Sequence, residues 1–445
     1  MSRFNNHPAY PGSLTQLWGR FHRASPHTGT TPFITLVTGL IAAPARRTVC
    51  RMLTASGASG TWHHSRAHRF FASARWNPDH VGLVVMGLIL GWLVPTGAPL
   101  VIAVDDTMFR RSGKHVWAAC WAYDGSRHVA AGQQKLSRGT TFVVAAVVVT
   151  LPFLDRPIAL PVLARLWRPG GPTKTTLARE MITLIATARR DRTVHVIADS
   201  AYMCKALRRL PANVTLTGPL PRHAALWAVH PELDEPPCMR GRRGRPRTRG
   251  AKIGTPDQLG ATTDAQMVTV TRYGRTRTIT VHERRCLWYG VYRSQPVRVI
   301  VIREPRRPGL ALVTTDPRTP AAQLVERYAS RWAIEIPFSD TKHIIGVGEA
   351  RNRTRLAVER TVPFGLFAQS LVIIWYHLAG HHPTVVTEHR RRARWYATKA
   401  HPSHQDMLIK LRRVLIATEY RADPQVDPTP EQIQAIRLAW ADTAA

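Results

Sequence analysis

Leu100-Val101-Ile102-Ala103-Val104-Asp105-Asp106-Thr107, with Pro99 before it and Met108-Phe109 after it, is the stretch on which the fold turns. Five apolar residues in a row, mostly β-branched or aliphatic, read as a strand buried on both faces, and hence as one central to a sheet. Two carboxylates directly after such a run need a reason, because an uncompensated buried charge is costly. A strand-terminal turn or a helix cap is one reason, since Asp supplies both readily. Chemistry is the other.

Outward from this strand the β pattern continues through HVWAACWAYD and then FVVAAVVVTLPFL with RPIALPVLARLW, giving three consecutive strands. Thr173 is placed to cap a helix over LAREMITLIATARR, after which VHVIADSAY returns to strand and CKALRRL to helix. Strands followed by alternating helix and strand indicate an α/β core. The second strand again runs straight into a carboxylate, Asp199, followed by Ser200, Ala201 and Tyr202. Here too a cap competes with chemistry.

A third acidic position lies in Tyr328-Ala-Ser-Arg331-Trp-Ala-Ile-Glu335-Ile-Pro-Phe-Ser-Asp-Thr-Lys342. At about 100° per residue, Arg331, Glu335 and Lys342 fall near −60°, −20° and −40° from Tyr328, so one helical face within about 60° carries all four. An i,i+4 ion pair on a solvated helix would account for Arg331 and Glu335 alone, but not for Tyr328 and Lys342 on the same stripe. Pro337 removes a backbone donor and is expected to kink the helix just after Glu335, at about 3 kcal/mol.

Two strand-borne aspartates and a helical glutamate suit a pair of Mg²⁺ ions about 4 Å apart, because Mg²⁺ takes oxygen ligands and keeps several waters. One ion would activate water or a 3′-hydroxyl and the other would stabilise the leaving 3′-oxygen, with Mn²⁺ able to substitute. Arg331 and Lys342 would bind neighbouring phosphates. Asp106 competes with Asp105 as first ligand, since a strand buried on both faces gives no period-two clue.

Taken together these residues resemble the DDE transposases of bacterial insertion sequences, in the group whose signature is Tyr, two residues, Arg, three residues, Glu, six residues and Lys. Tyr328, Arg331, Glu335 and Lys342 match every interval. Asp105-Asp106-Thr107 matches an Asp-x-Thr block, which favours Asp105, and Asp199-Ser200-Ala201-Tyr202 matches Asp-x-(Gly/Ala)-(Tyr/Phe). The resemblance spans roughly 96 to 385. It implies an RNase H-like core with a β-rich insertion, catalytic and metal-binding Asp105, Asp199 and Glu335, and Tyr328, Arg331 and Lys342 against DNA. It further implies cut-and-paste cleavage at terminal inverted repeats with strand transfer into target duplex, and a homodimer in the synaptic complex. The resemblance also implies an aromatic of the insertion stacked on a displaced base. Trp288 in CLWYGVY is one candidate, a core Trp the competing reading.

The rest of the chain agrees with a DNA-handling enzyme. Lys and Arg number 62 against 28 Asp and Glu, a formal charge of +34 spread over 445 residues, and a polyanion is the natural partner. Five dispersed cysteines form no C-x-x-C pair, which argues against a disulfide framework or zinc knuckle and fits a reducing cytoplasm, at the nucleoid. The start lacks a signal-peptide layout, and the apolar run Val81 to Pro95 is too short to span a membrane and reads as a buried helix.

Five regions are expected. They are a helical, DNA-binding 1–95, a first core part over 96–215, a β-rich basic insertion over 216–305, a second core part over 306–385 and a basic helical tail over 386–445. The insertion holds GRRGRPRTRG, in which Arg243 and Arg245 flank Gly244 as in an AT-hook that enters a narrow minor groove. A solvated basic loop touching only phosphates is the other reading. A non-catalytic DNA-binding regulator derived from such an enzyme, or an RNase H-like repair or junction nuclease, would share much of this pattern.

Overall fold

The computed structural model describes residues 12–25, 29–43, 47–130, 132–229, 248–305, 309–419 and 429–442. Its centre is β1 (Leu100–Arg110), flanked by β3 (Leu136–Val149) on one side and β5 (Val194–Ala198) on the other. The apolar run is thus central, as its two buried faces require. β2 (Cys120–Tyr123) and β4 (Ile158–Trp167) share the outer edge of β3. Four strands stand where three are expected, because the segment around Pro152 and Pro157 turns and sends β4 back along β3.

α6 (Lys174–Ala188) then carries the chain across the sheet, its first turn capped as expected by Thr173, whose hydroxyl accepts from the Thr176 amide at 3.1 Å. β5 enters parallel to β1, and β6 (Val214–Pro219) parallel to β5. The series β4-β3-β1-β5-β6, an antiparallel meander continued by two parallel strands, is an RNase H-like α/β core. Between β5 and β6 the expected CKALRRL helix shrinks to one 3-10 turn, Lys205–Leu207.

Most of the stretch after β6 joins the core sheet. A small ribbon of β7 (Leu226–Trp227) and β8 (Lys252–Gly254) and the short helix α7 (Pro256–Thr262) lead into β9 (Ala265–Arg272), β10 (Arg275–Cys286), β11 (Val297–Arg303) and β12 (Leu310–Thr314). β12 pairs antiparallel with β6, and β11, β10 and β9 follow outward, so one sheet of ten strands runs through core and insertion alike. β6 straddles position 215/216, where the first core part was expected to end. CLWYGVY is not a strand: β10 stops at Cys286 and a single helical turn, α8 (Tyr289–Tyr292), follows.

Helices cover the core. α1 (Gly12–Ala24), α2 (Thr30–Ala42), α3 (Val49–Ala55), α4 (His64–Ala72) and α5 (Pro78–Trp92) form the N-terminal region. α5 is the buried helix expected from the apolar run. Gly82 lets it lie flat on β4, since a Cβ there would come within 1.8 Å of the Val162 carbonyl oxygen. After α9 (Ala321–Ala329) and α10 (Glu335–His343), α11 (Arg355–Trp375) packs against α5 and β4 and is buried along nearly its whole length. Its Arg360 donates to the carbonyls of Phe70, Phe71 and Trp76 and so ties the end of α4 to the core. α12 (Thr384–Arg392), α13 (His404–Glu419) and α14 (Pro430–Asp442) make up the helical tail.

Candidate active site

Asp105 lies in the middle of β1. The strand runs on to Arg110 with Asp105 opposite Val144 and Asp106 opposite Val143 on β3, so a strand-terminal turn does not explain the pair. What ends here is the parallel ladder: its last pair is Val104 with Ala198, and the next positions on the two strands are Asp105 and Asp199. Two carboxylates therefore flank each other at the C-terminal end of β5, where open α/β sheets place their ligands. Asp199 is also a cap, its Oδ1 accepting from the Ser200 amide at 2.6 Å ahead of the turn Ser200–Tyr202.

The pleat separates Asp105 from Asp106. Asp106 points to the α6 side, where it accepts from Lys174 Nζ at 2.6 Å and Tyr202 Oη at 3.0 Å. Asp105 points to the opposite face and accepts from Arg331 Nη1 at 2.8 Å. Thr107, two residues along on that same face, accepts from Lys342 Nζ at 2.7 Å, and the Lys342 ammonium lies 5.6 Å from the Phe109 ring centroid. The Asp-x-Thr block is thus one side of one strand, with its carboxylate on Arg331 and its hydroxyl on Lys342.

The segment from Tyr328 to Lys342 is not the single α-helix expected. α9 ends at Ala329, a 3-10 turn covers Ser330–Ile334, and α10 begins at Glu335. The interruption falls before Glu335, and Pro337 sits in the first turn of α10, where its missing N–H has no helical acceptor to lose. The 3-10 turn winds at about 120° per residue, yet the four side chains still converge. Tyr328 hydrogen-bonds Arg331, and Arg331 Nη2 lies 3.7 Å from Glu335 Oε1. Lys342 reaches Thr107 from the far end.

Burial pushes the Asp105 carboxyl up to about 6, with the charges of Asp106 and Asp199 adding and the Asp106 amide and Arg331 opposing. Burial also raises Glu335, against Arg331 and with Asp199. Burial works against the Arg331 charge, yet Asp105, Tyr328 and Asp199 together hold its proton more tightly than usual. Lys342 is lowered by burial. Three carboxylates thus gather around one guanidinium, an oxygen-only set with surplus negative charge, which suits a hard divalent cation. Among the described residues no three His, Cys, Asp or Glu side chains already stand as a metal cage. Arg331 lies among the carboxylates instead.

Trp288 does not join this site. It is 8% exposed in the main core and packs on Tyr292 with ring centroids 6.0 Å apart, which leaves no free ring face for a displaced base. Arg243 and Arg245 lie outside the described residues. Sequence reasoning missed Lys174, which follows the cap of α6 and carries no local sign that it will meet Asp106.

An RNase H-like core that brings two aspartates and a glutamate together at the end of its parallel strands defines a nuclease of the DDE class. The chain belongs to the DDE superfamily endonucleases, whose family model matches residues 19–285, more than half its length. That match takes in Asp105 and Asp199, and Glu335 lies beyond it. Endonucleases of this class use divalent metals. No curated protein matches the chain. Among solved structures, a piggyBac transposase synaptic complex with hairpin DNA aligns over 98% of this chain and 78% of that one, at 8% identity and a TM-score of 0.37.

Proposed function

We propose that this endonuclease is a DNA transposase that cuts at the ends of an element and joins them to target DNA. The observation that carries the reading is the convergence of Asp105, Asp199 and Glu335 on Arg331, which bonds a carboxylate 226 positions away in the chain. Residues so far apart converge on one polar cluster where the β1–β5 ladder ends because a site is built there.

Asp105, Asp199 and Glu335 would hold divalent metal, Mg²⁺ or Mn²⁺. The metal supplies activation of water or a 3′-hydroxyl and stabilisation of the leaving 3′-oxygen. Arg331, oriented by Tyr328, and Lys342, oriented by Thr107, would present cationic donors to neighbouring phosphates. Their placement on one sheet face aligns a DNA strand across the carboxylates. The N-terminal helices and the basic insertion, with Arg243 and Arg245, would hold the end sequence, and two copies would pair the two ends.

Purified protein, end-bearing DNA and Mg²⁺ provide the test. Nicking at the element end followed by covalent joining to a second duplex, both abolished by chelation, is the expected result. Cleavage without joining under any divalent metal would contradict mobility and point to a repair or junction nuclease. DNA bound but left intact would point to a regulator.

A further inference from the structure

The sheet edge beside the catalytic strand carries two large aromatic side chains that the core does not use. Among the described residues β2 pairs only with β3, at the sheet edge, and its Trp121 and Tyr123 are 67% and 69% exposed. Register fixes where they face. Arg110 and Cys120 both lie opposite Gly139, while Trp121 lies opposite Arg138 and Tyr123 opposite Leu136. Directly opposed residues share a face and neighbours alternate, so Trp121 and Tyr123 stand on the face of Asp105, Thr107 and Phe109. Leu136, itself 37% exposed, extends the apolar surface beside Tyr123.

The exposed charge of this segment has one sign. Besides the buried Arg111, the chain from Thr107 to Arg138 carries Arg110, Lys114, Arg127, Lys135 and Arg138 against the single carboxylate Asp124. Asp124 is buried and accepts from Arg110 Nε at 2.9 Å, so it offers no exposed negative charge.

We propose that Trp121 and Tyr123 form a stacking platform for unpaired bases of the DNA strand that leaves the catalytic carboxylates. This rests on the DNA-cleaving reading and adds a place and a strand state to it. Cations alone suffice for a duplex backbone, whereas flat exposed rings gain most from bases whose faces are free. A second copy of the chain is the poorer occupant, because a self-complementary contact here would press two basic segments together. Trp121 is level with Arg111, just past the end of β1, about 20 Å along the strand from Asp105 and about 10 Å across two strands.

The full-length protein is tested with two DNAs, a blunt duplex and the same duplex bearing a single-stranded tail. Trp121→Ala with Tyr123→Ala is expected to weaken binding to the tailed DNA by about 5- to 100-fold and to leave the blunt duplex unchanged. Trp121→Phe with Tyr123→Phe, which keeps both rings, is expected to restore it. Both positions are solvent-exposed, and an unchanged thermal transition verifies the fold. Equal binding of tailed DNA by wild type and the alanine pair overturns the platform while leaving the DNA-cleaving reading intact. If the alanine pair also turns a dimer into a monomer, the occupant is a second copy. Failure of the wild type to bind either DNA overturns both readings.

Discussion

Asp105 and Arg331 show how one pair of side chains sets the character of the site. The Asp105 carboxyl titrates near 6 although a guanidinium touches it, so in the metal-free fold its burial outweighs its partner. A carboxyl raised from 3.8 to about 6 favours the folded state when protonated, and the cost of ionising it, about 3 kcal/mol, appears as pH rises from about 4 to about 6. Asp105→Asn in chelator is therefore expected to raise the melting temperature at pH 7 to 8, with the gain vanishing near pH 4. Thermal unfolding of both proteins across that range checks it, and a variant less stable than wild type at pH 8 would contradict it. Sequence alone could not choose between Asp105 and Asp106 from periodicity, because β1 is buried on both faces. Thr107 favoured Asp105, and the structure supplies the reason: Asp105 and Thr107 share the face on which Arg331 and Lys342 arrive, while Asp106 is held by Lys174 and Tyr202.

The element that delivers Arg331 is anchored well below the site. Asp316, just after β12, accepts from the amides of Arg318 and Thr319, the Thr319 hydroxyl, and Arg327 Nη1 at 2.9 Å, and it lies 3.6 Å from His195 Nδ1 on β5. These bonds hold its carboxyl well below the usual range despite burial. Asp316→Ala would leave Arg327 buried without its partner and is expected to cost about 3–5 kcal/mol in chemical denaturation. Because the folded value is depressed, that contribution is present above the ordinary carboxylate range and lost on acidification, so the gap between variant and wild type should narrow at low pH. A loss under about 1 kcal/mol would show that α9 is held by its apolar face alone. No local pattern marks this anchor, since Asp316 and His195 meet only through strand pairing. The sequence did place Tyr328, Arg331, Glu335 and Lys342 on one helical face. Their grouping survives the change from one helix to α9, a 3-10 turn and α10 because Tyr328 and Glu335 meet Arg331, while Arg331 and Lys342 both reach β1.

At the scale of the whole molecule, the core strands, the carboxylates that follow apolar runs and the β-rich insertion were legible because each leaves a local pattern, although Asp105 lies within its strand instead of at its end. The continuity of that insertion with the core sheet was not, because it depends on β12 pairing with β6 across 93 to 97 positions of chain, from Leu312 with Pro219 to Thr314 with Thr217. That pairing makes the insertion an extension of the core sheet, on the far side from the aromatic edge at β2. Asp105, Asp199 and Glu335 are proposed to do the chemistry within this frame. The direct measurement is divalent-metal-dependent DNA cleavage by Asp105→Asn, Asp199→Asn and Glu335→Gln, with Asp106→Asn alongside and DNA binding recorded for each. The three are predicted to lose about a thousandfold or more in cleavage rate while still binding DNA, and Asp106→Asn to stay far closer to wild type. Wild-type cleavage by Asp199→Asn or Glu335→Gln, or loss in Asp106→Asn with activity kept in Asp105→Asn, would contradict it.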